Sequence, residues 1–194
     1  MQHEPEGRYI LERLQNDLPG HLHYHTVAHT MDVYNRADDI AKRESVSAED
    51  RRQLLVAALY HDSGYLYQRV GHEQKSCSIA REALPKFGYG PEDIDKICKI
   101  IMATKLPQNP QSHLEKIICD ADLDYLGRDD FFETGHGLYL EMRTAGVVDD
   151  DAEWNRLQES FLKEHRYFTK TTISLRQAKK QENYNTLLSK LKNQ

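Results

Sequence analysis

Three fragments of this chain carry the residue types and spacings that could do chemistry: His25-Thr-Val-Ala-His29, the His61-Asp62 doublet, and Asp122. Imidazole nitrogens and carboxylate oxygens together make a mixed donor set suited to a divalent metal. On a helix, positions four apart lie one above the other. His25 and His29 would then share a face with Val33, Arg36, Ala37 and Ile40, and both rings would point inward with the apolar stripe. A zinc-protease arrangement is excluded, because Thr26 stands where that chemistry needs a Glu base. Spacing alone leaves open that both are packed core histidines.

His61-Asp62 closes the run Leu54-Leu-Val-Ala-Ala-Leu-Tyr60, which is apolar on nearly every side and so reads as a buried helix. Ser63-Gly64 follows, and Gly just past a helix is a stop signal. The doublet is therefore expected at a buried helix C-terminus. A buried carboxylate needs a cation or strong hydrogen bonds, and the negative end of the helix dipole also favours a cation. The alternative partner for Asp62 is an arginine such as Arg36. Asp122 lies in Ile117-Ile-Cys-Asp-Ala-Asp-Leu-Asp-Tyr-Leu126, nearest the face marked by Leu114, Ile117, Ile118, Ala121 and Tyr125. Asp120 and Asp124 are expected to point toward solvent or toward an outer layer of the site. An acidic run that is merely solvated is the competing reading.

The elements that would position these residues are helical almost throughout. The spacing predicts helices over about 4–18, 25–43, and from the Ser47 to Asp50 capping box to the doublet. Further helices are expected at about 72–87, ended by Gly88 and Gly90, and at about 91–104, opened by Pro91. A loop from Lys105 to about Gln111 precedes helices at about 112–126, 129–145, 150–168 and 172–192. No strand-like alternation longer than a few residues and no internal repeat is present. The fold class is all-α. A stretch from Gly146 to Asp151 reads as a hinge before the last helices.

Composition narrows the function. At 194 residues the chain can bury a substantial core. A net charge of −5 argues against general nucleic-acid binding, which needs basic surface. The charge is uneven: eleven acids against Arg128 and Arg143 between Asp120 and Glu153, then eight Lys/Arg against two Glu from Lys163 to Lys192. Two solvated faces of opposite sign are expected, with homo-oligomer formation or attraction of an anionic substrate as alternatives. No apolar run is long enough to span a bilayer, and the acidic N-terminus lacks a signal-peptide core. These features, with Cys77, Cys98 and Cys119 read as reduced core thiols, point to a cytoplasmic protein.

The pattern H…HD…D, carried by His29, His61-Asp62 and Asp122, resembles the HD-domain superfamily of metal-dependent phosphohydrolases. So do the neighbourhoods Tyr24-His25-Thr-Val-Ala-His29-Thr, His61-Asp62-Ser-Gly64 and Asp120-Ala-Asp122-Leu. The resemblance covers roughly residues 20–128. It implies a compact helical bundle forming one domain over 1–194, with a metal-site core at about 20–128 and a helical extension at about 129–194. It also implies that His29, His61, Asp62 and Asp122 are metal ligands. Two-metal members take further histidines from the region of His72 and from the following helix, but Ile100-Ile-Met-Ala-Thr-Lys105 supplies none. One divalent ion is expected, and ligand type does not choose among Mn, Fe, Co, Zn, Ni and Mg. In related cyclic-nucleotide phosphodiesterases a His at the position of His25 protonates the leaving oxygen, so His25 and Asp62 take the catalytic roles.

Phosphate chemistry accounts for such a set. Two imidazoles and two carboxylates offset a divalent cation while leaving it a Lewis acid. A bound divalent ion lowers the pKa of its water toward neutrality, a carboxylate orients that water, and His25 supplies a proton. His72, Lys105 and Arg36 are candidate contacts for a small phosphorylated substrate such as a nucleotide. A diiron oxygenase of the same superfamily and a non-catalytic nucleotide-sensing module are the other readings.

Overall fold

The computed structural model describes residues 2–192, which are helical with no strand among them. They divide into two compact units, one of residues 2–19 and 25–122, the other of residues 20–24 and 123–192.

The first unit is built around α3 (Ala48–Tyr60), flanked by α1 (Pro5–Asp17), α2 (Val27–Arg43), α4 (His72–Ala83), α5 (Pro91–Ala103) and α6 (His113–Asp122). Leu54 through Tyr60 are all buried, so no face of α3 meets water over its last two turns. A helix apolar all round must be central, and α3 packs on all five of the others. Ile10, Val33, Ala37, Ile97, Ile101, Ile117 and Ile118 fill the spaces around it. Each of the Ile and Val side chains contributes about 2 kcal/mol by leaving water. The Ser47 cap forms as expected, its Oγ accepting the Asp50 N–H at 3.1 Å. α2 also packs against α6, so the three helices carrying the candidate donors meet one another.

In the second unit, α7 (Phe131–Thr144), α8 (Asp151–Glu164) and α9 (Lys170–Lys192) follow a 3-10 turn at Asp124–Gly127. Its core includes Tyr24, Tyr125, Leu126, Phe131, Leu162 and Leu187. Glu141, itself buried, accepts the His23 and Tyr24 N–H groups through one oxygen at 2.8 and 2.6 Å. A Cβ on Gly127 would lie 2.5 Å from the Arg176 carbonyl oxygen, so only glycine lets this turn approach α9.

Several boundaries differ from the sequence reading. The helix expected over 72–87 is α only to Ala83 and then tightens to 3-10 through Phe87, because Pro85 cannot donate to an α ladder. The expected hinge at 146–151 is a packed turn, since Val148 is buried against Tyr139 and Trp154. Ion pairs link the acidic and basic segments of the sequence. Asp124 Oδ1 lies 2.8 Å from Arg176 Nε and Asp129 Oδ1 2.7 Å from Lys179 Nζ, so the two segments pair within this unit.

Candidate metal centre

His29 sits in the first turn of α2, His61 and Asp62 just past the end of α3, and Asp122 at the last residue of α6. His29 Nε2 lies 3.3 Å from Asp62 Oδ2 and 3.2 Å from Asp122 Oδ1. His61 Nε2 lies 3.1 and 3.5 Å from the same two oxygens. One donor atom each from His29, His61 and Asp122 falls within 4.8 Å of the others, and Asp62 Oδ2 touches both imidazoles. An ion with bonds of about 2.1 Å holds its donors roughly 3.0–3.4 Å apart, between square and tetrahedral spacing. The observed separations are of that size.

The hydrogen-bond chemistry points the same way. His61 Nδ1 donates to the Ala58 carbonyl at 2.8 Å, which leaves Nε2 with its lone pair facing the carboxylates. His61 Nε2 and Asp62 Oδ2 are fully buried, and neither makes an aligned hydrogen bond despite their proximity. Converging acceptors without donors repel one another, and a cation at their centre removes the conflict. A backbone carbonyl on the outer imidazole nitrogen is also how metal-binding histidines are usually fixed.

Without a cation, protons take its place. Burial opposes charge on His29, yet contact with Asp122 and Asp62 raises its pKa to about 9. Burial likewise opposes charge on His61, and the same carboxylates push it well above the ordinary value. Burial would raise Asp122, but His29 and His61 bring it down to about 2. Burial would also raise Asp62, and His61, His29 and His72 together hold it well below the usual carboxylate range. The residues therefore fit a divalent cation, which would displace protons on binding.

His25 corrects the sequence reading. It does not lie on the helix of His29: α2 starts at Val27, with Thr26 as N-cap accepting the His29 N–H at 3.5 Å. A Thr at N-cap holds extended backbone and so ends the helix there. His25 instead stacks on Tyr65, ring centroids 3.9 Å apart, and its ring centre is 6.0 Å from that of His29. His72, the first residue of α4, places Nε2 3.4 Å from Asp62 Oδ1, the second oxygen of that carboxylate.

Gly64 is also not the expected stop signal. A Cβ there would lie 2.0 Å from the His72 carbonyl oxygen, so this glycine lets the turn after the doublet press against the start of α4. Its N–H donates to Ser76 Oγ at 2.8 Å. Of the two places expected for Asp120 and Asp124, solvent is excluded: both are buried, and Asp124 is held by Arg176. Arg36 lies 3.9 Å from Asp32, while Asp62 is faced by three imidazoles, so the Asp62–Arg36 pairing does not form. Lys105 is exposed just beyond α5. Sequence reasoning missed Tyr65 and Ser76. Tyr65 stands between His25 and His72, its centroid 4.3 Å from the latter. Its signal was its place three residues after Asp62, and that of Ser76 its place one helical turn after His72.

A helical chain that gathers two imidazoles and two carboxylates from three helices in this order is of the HD class. The family model for the HD domain matches residues 26–124, and the chain belongs to that family. No curated protein matches it. Among solved structures it is similar to a crystal structure described as a predicted HD superfamily hydrolase from an uncultured Thermotogales bacterium. That likeness has a TM-score of 0.62 at 21% identity and covers 100% of this chain and 93% of the other, which is a likeness of fold. Among the described residues, no helix is long and apolar enough to cross a membrane.

Proposed function

We propose that this protein is a metal-dependent phosphohydrolase acting on a phosphate monoester or diester of a small molecule, with nucleotides the first substrates to test. The observation that carries the reading is the convergence of His29, His61, Asp62 and Asp122 at cation-sized spacings. These four would hold the ion. When bound, a divalent ion supplies Lewis acidity toward a phosphoryl oxygen and lowers the pKa of a water. Asp62 orients the attacking water and accepts its proton. His25, off the helix and steadied by the Tyr65 ring, donates to the leaving oxygen. His72 is placed to contact substrate beside Asp62, while Lys105 and Arg36 offer positive charge further out.

The test is hydrolysis of a panel of phosphomonoesters, phosphodiesters and nucleotides by metal-stripped protein, with Mn, Fe, Co, Zn, Ni or Mg restored singly. Turnover on at least one class with at least one metal is expected. Failure on every ester by protein shown to hold metal overturns the reading. One observation favours a second reading, a diiron oxygenase: His72 approaches the Asp62 oxygen that His29 and His61 leave uncontacted. Two irons per chain in protein purified without added metal would support that reading and count against the first.

A further inference from the structure

α4 and α5 leave between them an open groove of about 940 Å³ to which none of the four metal-centre donors contributes. Two of the three cysteines line it, Cys77 from α4 and Cys98 from α5, with Arg81, Asp95 and Lys99 around them. The pair is interlocked. Cys77 Sγ donates to the Cys98 carbonyl at 3.4 Å, and Cys98 Sγ donates to the Cys77 carbonyl at 3.7 Å. Each sulfur thus reaches past the other side chain to its backbone. The third cysteine, Cys119, is fully buried, is absent from the groove lining, and donates to the Ala103 carbonyl at 3.0 Å.

We propose that Cys77 and Cys98 are a modification site, oxidised to an intramolecular disulfide by a small hydroperoxide that enters this groove. The Cys98 sulfur attacks the peroxide, the O–O bond breaks, and an alcohol or water leaves with the proton. Cys98 is then a sulfenic acid. The Cys77 sulfur attacks it, the S–O bond breaks, and the departing hydroxide takes the Cys77 proton as water. Two thiols lose two electrons in all, and the hydroperoxide gains them. Cys98 is the sulfur to react first, because the Cys77 contact and the Arg81 charge favour its thiolate against the opposing effect of burial. The product ties α4, whose first residue is His72, to α5.

The experiment treats the full chain with hydrogen peroxide, then denatures it, alkylates free thiols and maps the peptides. Free thiols should fall from three to one, with a Cys77–Cys98 linked peptide, Cys119 alkylated, and all three restored by dithiothreitol. Cys98→Ser, checked for native helicity by circular dichroism, should form no internal disulfide at the same dose. Three unreacted thiols, a bridge involving Cys119, a disulfide between chains, or over-oxidation of Cys98 with Cys77 intact would each overturn the proposal.

Discussion

His29 in the first unit and His165 in the second are both buried imidazoles, and their surroundings drive them in opposite directions. His29 faces two carboxylates, which raise its pKa to about 9 against the effect of burial. His165 is lowered to about 3 by burial, with the charges of Lys180 and Arg166 adding to it. Lys180 Nζ sits 3.1 Å from His165 Nδ1 and donates to the His165 carbonyl at 2.7 Å. Burial alone therefore says little about what an imidazole does. The sign of the neighbouring charge decides, since desolvation disfavours charge in both places and only the first site supplies anions to overcome it. The first cluster asks for positive charge; the second already holds it and keeps its histidine neutral.

Two buried aspartates, one in each unit, offer the largest test of this contrast. Asp62→Ala removes a donor that touches both imidazoles of the centre and should lower affinity for any divalent metal by more than about 100-fold, beyond the loss typical of outer contacts. Asp124→Ala removes the partner of Arg176 in the second unit. It should leave metal stoichiometry unchanged and cost about 2 kcal/mol, the size of a charge-assisted hydrogen bond. Elemental analysis and chemical denaturation of both variants decide the matter. Metal retained in Asp62→Ala would break the comparison.

Two glycines sharpen it at a smaller scale. Gly64 and Gly127 each allow a turn to press against another segment's backbone, where a Cβ would come within 2.0 Å of the His72 oxygen or 2.5 Å of the Arg176 oxygen. Either change to alanine should cost roughly 3 kcal/mol, as overpacking against backbone does. Only Gly64→Ala should also weaken metal uptake, because it displaces the turn joined to Asp62 and the start of α4 together. Equal metal affinity in the two variants at saturating folding conditions would mean that the turn after the doublet does not position the centre.

Much of this was legible in the chain. Leu54 to Tyr60 announces a central helix because no face of it is polar, and the His61-Asp62 doublet at its end inherits that burial. Asp122 follows from the inward face of its own helix. Other features depend on contacts between distant residues. Spacing puts His25 on α2, but Thr26 caps that helix, and the stacking partner Tyr65 comes from a turn 40 residues away. Gly64 reads as a stop signal because glycine often is one; its actual requirement is the close approach of the His72 carbonyl, which no local pattern encodes. Periodicity leaves Asp124 between solvent and an outer layer of the site, and only α9 brings the arginine that pairs with it in its buried place.

The smallest predicted effect is a pH profile in which the two histidines act on opposite limbs. In metal-free protein, His29 binds its proton more tightly folded than unfolded. Its contribution is fully present below the unfolded value of 6.5 and is lost as pH rises through about 9. By pH 8 that loss is about 2 kcal/mol, with His61 acting in the same direction. His165 is the reverse case: between 6.5 and about 3 the unfolded chain binds the extra proton, so stability falls as pH falls, by about 2 kcal/mol at pH 5. Lys180, lowered to about 8 by burial and by Arg166, is protonated in both states below that value, so the alkaline limb is best followed between 6.5 and 8. A divalent metal replaces the protons on the two imidazoles of the centre. Loading it should therefore flatten the alkaline limb, while the acid limb persists and steepens as protons compete for the ligands. Denaturation midpoints across pH 5–8, with and without metal, measure both limbs, and a metal-free protein equally stable at 6.5 and 8 would show that the carboxylates do not hold His29 protonated.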